Sequence, residues 1–455
     1  MHKLAAVISA LALSACSFIP KYERPAAPVA NQFPSSGPPG ALAAADQGWR
    51  SMFGDARLQG LIKLALANNR DLRVAALQVE EVRAQYQIVR SDLFPQVGAT
   101  GSATFQRETA TQPGQLYRIG GSASWELDLF GRVRSSSKAA LEQYLAAKET
   151  HRAAHLALVG EVVSQYLRLC AYEEELAIAQ QTLEAVKGAY DLTSRQLEAG
   201  TRSELDVRTS EGQVAAAKAE VARLTRLHLQ SENALAVLIG QPMPQNLPAG
   251  QPLESQQMIA ELGAGVPSEV LLRRPDVAAA EHALIAANAN IGAARAAFFP
   301  TISLTGFAGL ASTALGSLIT GGAAAWSFIP SITVPLFTGG RNSATLDVAK
   351  VRKNIQVARY EQTIQNAFRE VADALVARGY LDEQLQAQTE RVTALQKRYE
   401  ISEQRYRGGI ESYIVVLVAQ QDLYQAQTQL VEVRVARLQN LADLYRSLGG
   451  GWKES

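Results

Sequence analysis

Cysteine is nearly absent. Cys16 and Cys170 are the only two among 455 residues, too few for a disulfide framework or a structural zinc site. Histidine occurs five times, which leaves little room for metal chemistry. His151 and His155 have the spacing of a zinc pair on a helix, but Arg152 stands where a zinc protease needs Glu. A solvated helix face accounts for them. His228 fits a packed or polar seam position, and Cys170, inside a long helical stretch, reads as a small buried apolar residue. There is no phosphate-cradling glycine loop, no serine elbow and no carboxylate cluster beside a base. No catalytic residue, metal site or cofactor is therefore expected. Charge of one sign is also missing: 44 Lys and Arg face 43 Asp and Glu, a net charge of +1, which argues against a nucleic-acid partner. Aromatic residues are 7%, low for a chain made only of strands. No apolar run reaches the length that spans a bilayer, so helices do not carry this chain through a membrane.

What is present starts with an address. Met1-His2-Lys3 precedes an apolar run, Leu4–Leu13, and then Ser14-Ala15-Cys16. A positive start, a short apolar core and small residues before a cut site make a secretory signal. Leu13-Ser14-Ala15-Cys16 resembles a bacterial lipobox, which implies cleavage after Ala15 and lipid on Cys16. Ser17 rather than Asp at the next position implies, by the same resemblance, sorting to the outer membrane. Residues 17–48 are rich in Pro, Ala and Gly and cannot hold a helix; an extended tether leading away from the lipid is expected.

The rest of the chain is a tandem duplication. Asp71, Ala75, Arg90 and Phe94-Pro95 return as Asp276, Ala280, Arg295 and Phe299-Pro300. Further on, Arg132, Tyr190, Gly200, Ser203 and Gly240 return as Arg341, Tyr399, Gly409, Ser412 and Gly449. Each copy opens with a helical pattern, over 56–93 in the first, closed by Phe-Pro. The period then changes to two. Val97, Ala99, Ala103 and Phe105 alternate with Gln96, Thr100, Ser102 and Thr104, and 116–128 behaves likewise. These are strands with one apolar face. The second copy offers 301–311 and about 324–334, with Pro330 an awkward member of a ladder. Loops near 107–115 and 312–323, rich in Gly, Thr, Ser and Ala, are expected outside the cell. Then come helices far longer than a globular domain holds: 132–199 would measure about 100 Å. Leu176, Ala179, Leu183, Val186, Tyr190, Thr193 and Leu197 step as a heptad seam. The chain should reverse at Gly200, and again at Gly408-Gly409.

Ten tilted residues cross an outer membrane. Four strands cannot close a barrel, and open edges are not tolerated in lipid. Chains must associate, and three copies supply twelve strands. The expected fold is an α+β membrane protein with an internal duplication. Each chain gives four strands to a trimeric 12-stranded β-barrel, and long antiparallel helical hairpins continue it as a periplasmic tunnel. The expected segments are a signal at 1–15, a lipid-anchored tether at 16–55, and repeats at 56–250 and 251–455.

Several motifs point the same way: Cys16 with Tyr22-Glu23-Arg24-Pro25, Trp49 and Phe53, and Leu271-Leu272-Arg273-Arg274-Pro275-Asp276. So do Phe298-Phe299-Pro300, Pro335-Leu336-Phe337 before Gly339-Gly340-Arg341, and the ending Leu448-Gly449-Gly450-Gly451-Trp452. Together they resemble the TolC-like outer-membrane efflux factors, specifically the lipoprotein subgroup of the OprM or NodT kind. The resemblance implies a homotrimeric passive exit duct, not an enzyme, set in outer-membrane lipid. Its implied partners are a periplasmic adaptor protein and an inner-membrane transporter of the RND type. It also implies that the tips Gly200, Thr201, Arg202, Ser203 and Gly408, Gly409, Ile410, Ser412 contact the adaptor. Asp206, Arg405 and Tyr406 match positions that help shut the tunnel through polar contacts between helices. Val415 and Val418 stand where relatives often carry acidic residues, so closure by apolar contact is expected here. Ser203 and Ser412 are placed to cap the returning helices. Two other readings stay open at this point: a duct for protein secretion, and a non-conducting coiled-coil spacer.

Overall fold

A computed structural model describes residues 17–33, 48–109, 112–256, 258, 268–319 and 322–450. Cys16, the signal segment and Trp452 lie outside the described residues. The first repeat contains α1 (Ala56–Asn68), α2 (Arg70–Ser91), β1 (Gln96–Thr109), β2 (Gln112–Leu127), α3 (Arg132–Glu198) and α4 (Glu204–Leu238). The second contains α5 (Pro275–Ala296), β3 (Thr301–Ser312), β4 (Ala324–Thr333), α6 (Arg341–Arg407) and α7 (Tyr413–Ser447). Helices α3 and α6 each have 67 residues, and α4 and α7 each have 35. That equality is what a gapless copy requires. No described helix is long and apolar enough to cross a membrane.

Two local expectations change, and the strand expected around Pro330 is present. The helical pattern over 56–93 is broken at Asn69. Its side-chain oxygen accepts from the Leu72 amide at 2.9 Å and its amide group donates to the Leu238 carbonyl at 2.9 Å. Asn side chains compete with the helix ladder in this way, and periodicity alone does not register it. The loop expected at 107–115 shrinks, since β1 runs to Thr109 and β2 restarts at Gln112. The ladder also continues through Pro330, opposite Leu304.

The chain divides into two compact units, each drawing on both repeats. One includes residues 17–27, 76–150 and 276–363. Its sheet is antiparallel in the order β1-β2-β3-β4. Register places Val97, Phe105, Ile119, Trp125, Leu304, Trp326 and Ile332 on one face, and Gln96, Ser102, Ser122, Thr305 and Ser327 on the other. The apolar face is bare, with Trp326 80% exposed, as a lipid-facing surface is. Among the described residues, neither edge of the sheet has a partner strand within the chain. In the same unit the amino-terminal segment is not a free tether. It is extended, but it lies along α5 in register. Phe18 stacks on Phe299 at 4.5 Å, and Asn288 donates to the Pro20 carbonyl at 2.7 Å. Tyr22 and Arg24 both donate to Glu281 at 2.8–3.1 Å. Gly292 lets this strap close on the helix, because a Cβ there would sit 2.9 Å from the Ile19 nitrogen. The Tyr-x-Arg spacing thus serves a single carboxylate.

The other unit includes residues 28–33, 48–75, 364–450 and most of 151–275. Asp55 caps α1, accepting from the Arg57 amide at 2.8 Å. Its other oxygen accepts from Tyr166, the Gln251 amide and Gln256 at 2.5–3.1 Å. Burial alone would raise this carboxyl's pKa; those four donors outweigh it and hold it below its ordinary value. Trp49 and Phe53 are buried, and Phe53 meets the Tyr445 ring edge-on at 5.9 Å. Arg274 donates to the Ser447 carbonyl at the end of α7 and to Glu370, both at 2.9 Å. The seam is present. Ala179, Val186 and Thr193 are buried on α3, and Tyr413, Val416, Ala419, Leu423, Ala426, Leu430 and Val433 on α7.

Candidate functional site at the hairpin tips

Both tips are built by one device. Gly200 has φ 73° and Gly409 has φ 74°, a conformation that costs an L side chain energy and costs glycine none. Thr201 donates to the Gln196 carbonyl and Gly200 to that of Leu197, at 2.9 and 2.8 Å. Ile410 donates to Arg405 and Gly409 to Tyr406, each at 2.9 Å. These are matched Schellman closures, which satisfy the last carbonyls of α3 and α6. The returning helices start differently. Ser203 and Asp206 form a reciprocal capping box. Ser412 occupies the corresponding position but makes no side-chain cap bond, so the capping expected of it is absent. The residue at the third helical position is Val415, which cannot complete a box.

Tyr406 is the residue that joins the tips. It is buried; its ring lies 5.3 Å from that of Tyr413, and the Arg202 guanidinium sits 5.2 Å above it. Its hydroxyl points at the Gln196 side-chain oxygen at a long 3.5 Å. So α6 of one hairpin is tied to the turn and last helical residues of the other. Burial, with Tyr406 and Tyr399 beside it, pushes the Tyr413 phenol up to about 12. Tyr413 is therefore neutral at any physiological pH, and its buried hydroxyl has no hydrogen-bond partner. Gln196 and Tyr413 are members that sequence reasoning missed. The signal for Tyr413 was available as the first buried step of the α7 seam; that for Gln196 exists only in three dimensions.

The other singled-out residues separate. Asp206 turns to Ser203, accepting from its hydroxyl at 2.8 Å. Arg405 pairs with Glu411 in its own hairpin at 3.1 Å. Val415 is half-buried, and Val418 is exposed. Leu205 and Ile410 stand 75% and 69% exposed at the two turns, with Ile414 close behind. Elsewhere, His155 is half-buried with an unpartnered Nδ1, not on a solvated face. Burial, then His151, lowers its pKa. His228 lies 3.5 Å from Glu173. Cys170 is buried and its thiol is pushed up to about 12 by burial. Among the described residues, no three His, Cys, Asp or Glu side chains are placed to hold a metal ion.

An amphipathic four-stranded sheet with open edges and long, repeated helical hairpins define a class: a channel of the outer membrane assembled from several copies. The outer membrane efflux protein family matches residues 61–241 and again 266–450, once on each repeat, and the chain belongs to that family. It is 46% identical to the toluene efflux pump outer membrane protein TtgC of Pseudomonas putida, over 99% of this chain and 96% of that one. It is 41% identical to the cation efflux system protein CusC of Escherichia coli, over 99% of each. Its fold superposes on the open state of the MtrE outer membrane channel of Neisseria gonorrhoeae with a TM-score of 0.89, at 42% identity over 97% and 99% of the two chains. The chain is an outer-membrane efflux channel, trimeric, with four strands per protomer in a twelve-stranded barrel and a periplasmic helical tunnel.

Proposed function

We propose that this channel is the lipid-anchored exit duct of a tripartite pump for small organic molecules, gated at the hairpin tips. The observation that carries the gate is the Tyr406 contact set. One aromatic residue of α6 holds Arg202 and Gln196 of the neighbouring hairpin, so separating the hairpins must break a cation–π contact and expose the ring. Such a contact contributes about 0.5–2 kcal/mol, enough to bias a gate without locking it. The exposed Leu205, Ile410 and Ile414 at the turns are apolar surface for a periplasmic adaptor, and the adaptor joins the duct to an inner-membrane transporter of the RND type. Toluene in the name of a relative supports an organic cargo. The lipobox at Cys16 supports the anchor, and the strap supports it independently, since it carries residue 17 to the Phe299 end of α5, next to the start of β3. Tyr406→Ala, expressed in a strain lacking its own outer-membrane duct, should admit a large hydrophilic antibiotic and lower its inhibitory concentration severalfold, with trimers intact. An unchanged inhibitory concentration with unchanged bilayer conductance would refute the gate.

A further inference from the structure

The polar face of the sheet holds a feature that the efflux reading does not use. Arg118 stands on β2 opposite Ser102 and Ala311, so it shares the polar, luminal face. Its guanidinium lies 4.6 Å from the centre of the Phe307 ring on β3. Phe307 pairs with Ser122, four residues further along β2, and between the two levels sits the pair Gly120–Gly309. A Cβ on Gly120 would collide with the Ala308 carbonyl and lie 2.7 Å from the Gly309 Cα; one on Gly309 would lie 2.5 Å from the Gly120 Cα. The two glycines therefore leave a bare crease in the wall, and Arg118 lies across it onto Phe307. Its Nε is buried with no hydrogen-bond partner, and no described carboxylate pairs with it. Glu126, the other charged side chain described on the strands, is consumed by Arg132 at 2.7 and 2.9 Å at the helix end of the sheet.

We propose that Arg118, repeated by the threefold axis, forms a cationic collar inside the barrel that sets the charge preference of the outer section of the duct. Guanidinium is charged at every working pH. Stacking on Phe307 fixes it against the wall, and the glycine crease removes the side chains that would screen it. Three such charges at one level, facing water between low-dielectric walls, attract anions and raise the barrier to cations. The collar lies on the barrel, so its effect is separate from closure at the hairpin tips. The ligands it would detain are multivalent anions entering from the cell exterior.

The test uses full-length trimers in planar bilayers under a KCl gradient. Arg118→Gln should lower the chloride-to-potassium permeability ratio by about threefold or more, Arg118→Glu should invert the preference, and Arg118→Lys should retain it. Tripolyphosphate added on the barrel side should block wild-type current at concentrations about tenfold lower than it blocks Arg118→Gln. Should the Gln or Glu variant not insert, Arg118→Cys treated with a cationic thiol reagent should restore the wild-type ratio, and an anionic reagent should not. Cys170, buried with a raised pKa, does not compete. A conducting wild type that tripolyphosphate does not block, or permeability ratios indifferent to the charge at 118, would overturn the collar. A wild type that does not conduct at all would instead overturn the duct.

Discussion

Glu175 on α3 shows what a helical seam costs a carboxylate. Burial raises its pKa to about 7, and Glu432 of α7 adds to the shift; Arg223 of α4 opposes it, while Glu220 and Glu174 reinforce it. Glu220 is itself occupied, bonded to Arg223 at 2.7 and 2.9 Å and to Tyr424 at 3.0 Å. The sign follows from linkage. The ionised form is penalised in the folded state, so stability falls as pH climbs from the ordinary glutamate value through about 7 and stays low above it. Glu175→Gln should raise trimer stability at pH 8 by on the order of 1 kcal/mol, discounting for partial exposure, and change little near pH 4. Thermal unfolding of detergent-solubilised trimers at the two pH values checks this; equal gains at both would mean packing, not charge, is responsible. None of this was legible in the sequence. Glu173-Glu174-Glu175 is a charge run that composition assigns to a solvated face, and only the packing of the helices half-buries it and sets Glu175 beside Glu432.

At the scale of elements, the turns were the most legible part. Gly200 and Gly409 occupy matched positions in the repeats, and both adopt the left-handed φ that this placement demanded. Proline cannot reach that φ. Gly200→Pro and Gly409→Pro should each disorder a tip by more than 1 kcal/mol and abolish efflux, while trimers still assemble through the strands. Drug accumulation in cells, read beside trimer bands on gels, distinguishes the outcomes; normal efflux in both variants would remove the tips from the mechanism. Ser412 shows the limit of the same logic. Its sequence position matches Ser203, but Val415 replaces the carboxylate that completes the cap in the first repeat. Asn69 shows a second limit: one amide side chain turns a continuous helical pattern into two helices by bonding the Leu72 amide and the Leu238 carbonyl. The latter lies far away in sequence, where no local window sees it.

At the scale of the whole molecule, closing the barrel and holding it in the membrane are separate tasks. Closure comes from pairing the open edges of β1 and β4 between protomers. Anchoring, on the proposed reading, comes from lipid on Cys16 with the strap fixing where that lipid sits. Cys16→Ala, carried by an ordinary cleavable signal, should reduce the amount of trimer reaching the outer membrane severalfold while leaving the conductance of the purified channel unchanged. Membrane fractionation with single-channel recording checks both halves. Mass spectrometry of the mature wild type showing an unmodified Cys16 would end the anchoring proposal.

By itself the sequence determined the duplication, the four amphipathic strands, the long hairpins with their turning points and the need for more than one chain. Each of these is a matter of period, punctuation or length, which local physics reads without knowing what packs where. Only the tertiary structure decided that Tyr406 meets Arg202 and Gln196, that Asp55 gathers four donors, that the strap lies along α5, and that Arg118 spans a glycine crease to reach Phe307. Apart from the Asp55–Arg57 cap, those contacts join residues more than a hundred positions apart. Their energies depend on distance and burial, and those quantities do not exist until the helices and strands are in place.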